Sequence, residues 1–310
     1  MRKIFYMISL LTLCVFAAGC GGKTSGESGY VLKIGGSTVG ESEFKLYLYE
    51  AQQYFIEKGG QDIWDTDFNG RTAEEVAKDG AINTIKMVKL AMQKSKDMNI
   101  TLTDDEIKKA EEDGDLFLSG LSGTLKSEIN ASKEDVYKTM QEKAVFVKVY
   151  NSIIQQYSLN EDEFSAYFEP DAEEYASIYT KINVQEAIFD TKEAAEKAAS
   201  LGKDGDFTEK AKELGFESYE SQYYKGEMEN MLGITFDLEP GETSGVIETQ
   251  AGYYVFKLID TETPDEEATR EFVKGIYVYN NSQEYFNNEF EKWTNDASIE
   301  INQKAVDNIK

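Results

Sequence analysis

The sequence predicts an α+β protein: a mostly helical domain formed by both chain ends, with a smaller α+β domain inserted between them. Three observations carry this. Helix-start signals recur through residues 40–168. Beyond Pro170 the pattern turns to mixed strands and helices. Lone alternating segments stand near each end, "YVLKIGG" at 30–36 and "ASIEIN" at 297–302. A single strand leaves its backbone groups unpaired, so the two are expected to pair with each other.

The helical part opens with "ESEFKLYLYEAQQYFIEKG". Phe44, Leu48, Ala51 and Phe55 share one helical face, with Tyr47 and Tyr54 beside it, and Gly59-Gly60 marks the stop. Thr72-x-x-Glu75, Thr103-x-x-Glu106, Ser132-x-x-Asp135 and Asn160-x-x-Glu163 each read as an N-cap with a reciprocating acid. Val76, Ile82, Ile85 and Val88 form the stripe of the first such helix. Ile107, Ala110 and Leu116 form that of the second, and Val136, Met140, Val147, Tyr150 and Ile154 that of the third. About five helices are expected over 40–168.

Between Pro170 and Pro264 a strand is expected at 179–190 ("YTKINVQEAIFD"), helices at 191–201 and 206–214, and strands near 245–249 and 253–260. Pro240 lies in a turn, "EPGE". A last helix, 265–296, carries Phe272, Ile276 and Tyr279, then Tyr285, Phe286, Phe290 and Trp293.

Composition narrows the chemistry. The 310 residues hold 58 acids against 32 bases, a formal charge of −26, which disfavours nucleic acid as a partner. The chain has no histidine. That excludes Ser-His-Asp and Cys-His catalysis and HExxH zinc sites. The acidic run at 102–115 lacks the spacing and mid-loop glycine of an EF-hand, and no metal or cofactor is expected. Among so many carboxylates, a close pair is no sign of a glycosidase.

The N-terminus has basic Arg2 and Lys3, an apolar stretch from Ile4 to Phe16, and small residues leading to Cys20. It is too short for a membrane span and reads as a signal peptide over 1–19. Small residues before a cysteine resemble the bacterial lipoprotein signal, which implies lipid on Cys20. Residues 20–29 then form a flexible tether. Loss of Arg2 and Lys3 takes the mature charge from −26 to −28.

The order of the parts resembles PrsA-like foldase lipoproteins, relatives of SurA-like chaperones. "VLKIGGSTVGESEFKLYL", "AINTIKMVKLAMQKSKDMNITLTDDEI" and "NEDEFSAYFEPDAEEY" carry the likeness through the helical part. "GDFTEKAKELG", "YKGEM" and "FDLEPGETSGVIETQAGYYVFKLID" carry it in a parvulin-type peptidyl-prolyl isomerase domain. The resemblance implies a helical chaperone domain at 30–170, completed by 264–310, with a parvulin-like domain at 171–263. It also implies where active-site residues should stand. Both family histidines are replaced, by Glu186 on the first strand and Tyr254 on the last. Glu217, Tyr219 and Glu220 are the candidates for a third, acidic or thiol position. Met228, Leu232, Phe236 and Tyr254 are the expected peptide-binding residues.

The resemblance implies an extracytoplasmic, lipid-anchored chaperone for unfolded or newly secreted polypeptides, its isomerase domain weakly active or inactive. A second copy of the chain is retained as a candidate partner. An active proline isomerase, and a surface assembly or adhesion lipoprotein, are the alternatives.

Overall fold

A computed structural model describes residues 29–201, 207–233, 236–249 and 251–309. The leader 1–19, Cys20 and all but the last residue of the 20–29 tether lie outside the described residues. Among the described residues no helix is long and apolar enough to cross a membrane.

The chain begins with β1 (Leu32–Ile34) and β2 (Ser37–Val39), followed by α1 (Glu41–Gly59) and a 3-10 turn at Gln61–Asp65. Then come α2 (Ala73–Asp97), α3 (Asp104–Gly120), α4 (Gly123–Ile129), α5 (Lys133–Ile154), α6 (Glu161–Phe168) and α7 (Ala172–Ile178). The mixed segment comprises β3 (Lys181–Phe189), α8 (Lys192–Leu201), α9 (Phe207–Glu213), β4 (Ser218–Tyr224), α10 (Lys225–Leu232), β5 (Ile247–Thr249) and β6 (Gly252–Glu262). The chain closes with α11 (Glu266–Asp296), β7 (Ile299–Ile301) and α12 (Gln303–Asn308).

The expected caps form. Thr72, Thr103 and Ser132 each accept from the N3 backbone while the N3 acid accepts from the cap, so two orphan donors are satisfied together. Asn160 caps α6 through its side-chain oxygen alone. Helix α4, capped by Ser122, and strands β2 and β4 are additional to the sequence expectation.

Two compact units result. The first takes 29–157 and 282–309 of the described chain. Its three-stranded sheet has the order β2-β1-β7, with Leu32 opposite Ile301 and Ile34 opposite Ile299. Gly35 and Gly36 turn between β1 and β2 at φ of 51° and 88°. Glycine suits position 35 through its left-handed φ, and a Cβ there would push aside the Gln93 amide that donates to its carbonyl. The core joins Phe44, Tyr47 and Leu48 of α1, Val76, Ile82, Ile85 and Val88 of α2, and Phe146 and Val149 of α5. Phe286 and Trp293 of α11 complete it, with Phe286 edge-on to Phe146, Tyr150 and Trp293.

One expected core residue is displaced. Leu116 is 66% exposed, while Ala110 and Gly114 are buried and Phe117 lies edge-on to Tyr49 of α1. The phase is set by Gly114, where a Cβ would come within 2.9 Å of the Tyr137 ring. That close approach turns Leu116 to solvent.

Charge is also buried in this unit. Lys89 Nζ lies 2.5 Å from Glu43 Oε1 and 2.5 Å from Glu142 Oε2, joining α1, α2 and α5. Lys143 pairs with Glu50 and sits 4.7 Å from the centre of the Tyr47 ring. Burial would by itself lower the Lys89 pKa, but its hydrogen bonds to Glu142 and Glu43 reverse the sign and raise it. The Tyr47 hydroxyl is buried without a hydrogen-bond partner. Burial, helped by Glu142, Glu43 and Glu50, holds it neutral well above the usual tyrosine range.

The second unit, Ser158–Asn281, has an antiparallel sheet of order β4-β3-β6-β5. One face, with Ala187, Phe189 and Val255, packs on Ala195 and Ala198 of α8 and on Phe207 and Ala211 of α9. The other, with Ile182, Val184, Phe256 and Leu258, packs on Met228 and Phe236. The compact unit is wider than the expected 171–263, because Phe164 and Phe168 of α6 pack with Tyr175, Tyr179 and Val273. Residues 266–281 thus fall in this unit and only 282–309 in the first. On this half of α11 Phe272, Ile276 and Tyr279 are exposed, and Val273 and Thr269 face inward.

Two substitutions should move stability in opposite directions. Lys89→Ala leaves Glu43 without its lysine and Glu142 with only Lys138 at 3.9 Å, and should cost about 3–5 kcal/mol. Tyr47→Phe removes an unpartnered buried hydroxyl and should be neutral or stabilising by about 1 kcal/mol. It should also lessen the loss of stability above about pH 10, since a raised folded pKa favours folding only until the unfolded tyrosine ionises. Denaturant unfolding at pH 7 and pH 11 checks both.

Candidate functional site

The sheet face under Met228 gathers the sequence-predicted residues. Alternation along β3 sends Ile182, Val184, Glu186 and Ile188 to one side. On β6 the same alternation puts Leu258, Phe256 and Tyr254 on that side, opposite Val184, Glu186 and Ile188, with the bulge lying beyond them between Leu258 and Asp260. From β4 the same face receives Tyr219, Ser221 and Tyr223, opposite Glu186, Val184 and Ile182 respectively.

The Glu186 carboxylate is held by neutral donors. Ser221 Oγ donates to Oε1 at 2.5 Å, and Tyr223 Oη lies 2.9 Å from Oε1 and 3.1 Å from Oε2. Its donors are therefore Ser221 and Tyr223 and not Tyr254, whose ring stacks on Phe256 at 5.7 Å and 11°. The Tyr223 pKa is raised, first by burial and then by donation to Glu186, against a smaller lowering by Ser221. Its phenol stays neutral and goes on donating through the physiological range.

Met228, Leu232, Phe236 and Tyr254 form one cluster. Their accessibility differs. Met228 has no solvent-accessible surface and Phe236 is 4% exposed, whereas Leu232 and Tyr254 are half-buried. Phe236 lies edge-on to Phe256, and its N–H donates to Glu229 Oε1 at 2.7 Å, which anchors the loop after α10. Gly226 lets α10 approach α7 closely, since a Cβ there would meet Ile178 at 2.6 Å. A hollow of about 410 Å³ lies toward the opposite end of the sheet, lined by Ile182, Phe236, Leu258 and Lys225. It shares only Phe236 with the expected peptide-binding set.

Of the candidates for a third position, Glu217 accepts from the exposed Tyr219 at 2.5 Å, and Glu220 pairs weakly with Gln185. None bonds Glu186. Sequence reasoning missed Ser221 and Tyr223, its actual partners. The signal was the alternation Tyr219, Ser221, Tyr223 in "SYESQYY", which marks a strand with one hydroxyl-bearing face.

The family described as PPIC-type PPIase domain matches residues 159–274, close to the bounds of the second compact unit. The foldase protein PrsA of Caldanaerobacter subterraneus subsp. tengcongensis is 23% identical over 272 residues, covering 83% of this chain and 82% of that protein. The foldase protein PrsA of Clostridium acetobutylicum is 21% identical over 268 residues, covering 79% of each. Among solved structures, foldase protein PrsA from Streptococcus pneumoniae shares 14% identity at a TM-score of 0.41, covering 79% of this chain and 97% of that one.

Glu186→Gln tests the described geometry. The neutral amide removes the charge that helps raise the Tyr223 pKa, so the Tyr223 titration should move down toward the ordinary tyrosine range. Ultraviolet or NMR titration of the tyrosines would show it, and an unmoved titration would contradict the hydrogen bond.

Proposed function

We propose that this chain, PrsA-like in family and carrying a PPIC-type PPIase domain, is a lipid-anchored extracytoplasmic foldase for unfolded secreted polypeptides. In this reading the first unit is the chaperone domain and the second is the parvulin-like insertion, a weak or inactive isomerase. The observation that carries the reading is the site face itself. Met228, Leu232, Phe236 and Tyr254 pack together on it, which supports a peptide-binding role, and by the resemblance Glu186 and Tyr254 stand where the family has histidines.

Rotation about an X–Pro bond meets a barrier of roughly 18–20 kcal/mol from amide resonance. An apolar, dehydrated seat for the proline ring lowers it by disfavouring the charge-separated planar amide. Two features work against that here. Met228 offers no surface on which the ring can sit. Glu186, bonded by Ser221 and Tyr223, places a carboxylate beside the reacting amide, where the family has a buried imidazole pair. Inefficient turnover follows.

The full-length protein should suppress aggregation of several unrelated unfolded clients while isomerising short proline peptides poorly. Glu186→His with Tyr254→His should raise isomerisation more than either change alone, since the two positions act as a coupled pair. Wild-type isomerisation at rates typical of the family, abolished by Met228→Ala, would overturn the weak-isomerase reading. Protection of a single client only would instead favour an assembly or adhesion role.

Anchoring is assigned to Cys20. Its support is the run of small residues ahead of it, together with the lack of a membrane-length apolar helix among the described residues. Cys20→Ala should abolish fatty-acid labelling, and labelling unchanged in that variant would remove the anchor from the proposal.

A further inference from the structure

The face that holds Glu186 is covered over only half its length. At the Ile182 end Met228 and Phe236 bury it completely. At the other end Ile188 is 41% exposed and Tyr219 56% exposed, with Ile247 and Tyr254 half-buried between β5 and β6. This is an apolar and aromatic surface with one carboxylate at its centre.

That carboxylate is unusual among the protein's less accessible acids. Glu43 and Glu142 both pair with Lys89, and Glu50 pairs with Lys143. Glu186 has only the neutral donors Ser221 and Tyr223, and no Lys or Arg among the described residues lies within ion-pair distance of it. Ser221 donates to Oε1, and the single Tyr223 proton is shared between Oε1 at 2.9 Å and Oε2 at 3.1 Å, so Oε2 receives only the longer part of one bond. A carboxylate offers about four acceptor sites, so Oε2 retains capacity for an incoming donor. Nearby, Glu217 holds the Tyr219 hydroxyl, which adds negative charge at the rim and fixes an aromatic ring beside it.

From this charge complementarity we propose that the uncovered half of the face binds a cationic residue of an unfolded chain, a Lys or Arg flanked by proline or apolar residues. The cation pairs with Glu186 Oε2 and lies against the Tyr219 and Tyr254 rings, whose faces attract it. Its apolar neighbours cover Ile188, Ile247 and Leu232. The inference rests on the foldase reading and adds to it the class of segment that the second unit selects.

The test uses the full chain and fluorescein-labelled hexapeptides, Ala-Phe-Lys-Pro-Phe-Ala and its Glu and Gln counterparts at the third position, with binding read by anisotropy at low and physiological salt. The Lys peptide should bind about tenfold more tightly than the Glu peptide. Glu186→Gln, checked for an unchanged melting curve, should bring the two within about twofold. Tyr219→Ala, at an exposed position that leaves the fold intact, should weaken the Lys peptide about threefold. Equal affinities for the three peptides would overturn the proposal. So would a preference that survives Glu186→Gln, which would assign it to the overall charge of −26. Absence of binding by any peptide would overturn it as well. The foldase reading falls separately, only when aggregation of unfolded clients is not suppressed.

Discussion

The antiparallel pairing of β1 with β7 is the constraint on which the first unit depends. Leu32 and Ile301 face each other across 269 positions of sequence, and β1 has no other neighbour besides β2. The residues just ahead of β7 supply Phe286 and Trp293 to the core of α1, α2 and α5. The helices at 41–154 therefore cannot bury their apolar faces fully until the segment beyond 281 arrives. Contacts of such separation carry loop-closure entropy that must be met before they stabilise anything, which makes this unit slower to complete than its helical content suggests.

Within that frame the protein treats its many acids in two ways. Where helices α1, α2 and α5 meet, carboxylates are taken out of water with lysines between them. Charge removed from solvent is tolerable only with a partner in good geometry, and Lys89 with two carboxylates provides it. On the sheet of the second unit Glu186 is stabilised differently, by hydroxyl donors that leave its charge in place. The first arrangement locks three helices in register. The second preserves an anionic spot on a partly apolar surface, which is a recognition feature more than a packing one.

Much of the local structure was readable from short-range pattern. The boxes at Thr72, Thr103 and Ser132 start helices where the spacing says they should, because a cap and its N3 acid are three residues apart and act without tertiary help. The stripes of α1 and α2 are buried as their spacing predicts. Leu116 is exposed although it belongs to its helix's apolar stripe, and so is the Phe272, Ile276 and Tyr279 row, since periodicity says which residues share a face and not whether a neighbour covers it. At Leu116 the answer lay in the closeness of Gly114 to Tyr137, a contact between two helices.

The candidate site divides along the same line. The resemblance alone suggests Glu186 and Tyr254 at the histidine positions and Met228, Leu232 and Phe236 as peptide-binding residues; the structure adds that Met228, Leu232, Phe236 and Tyr254 cluster on the sheet face that also carries Glu186. The partners of Glu186 were not available that way. Ser221 and Tyr223 lie 35 and 37 positions away, and they meet the carboxylate only because β4 pairs with β3 in one register. Shifting that register by one residue would turn their hydroxyls to the opposite face. The same holds for Met228, whose identity was readable but whose complete burial was not. Solvent exposure is set by the elements that fold over a residue, and here those are the sheet below it and Phe236 beside it.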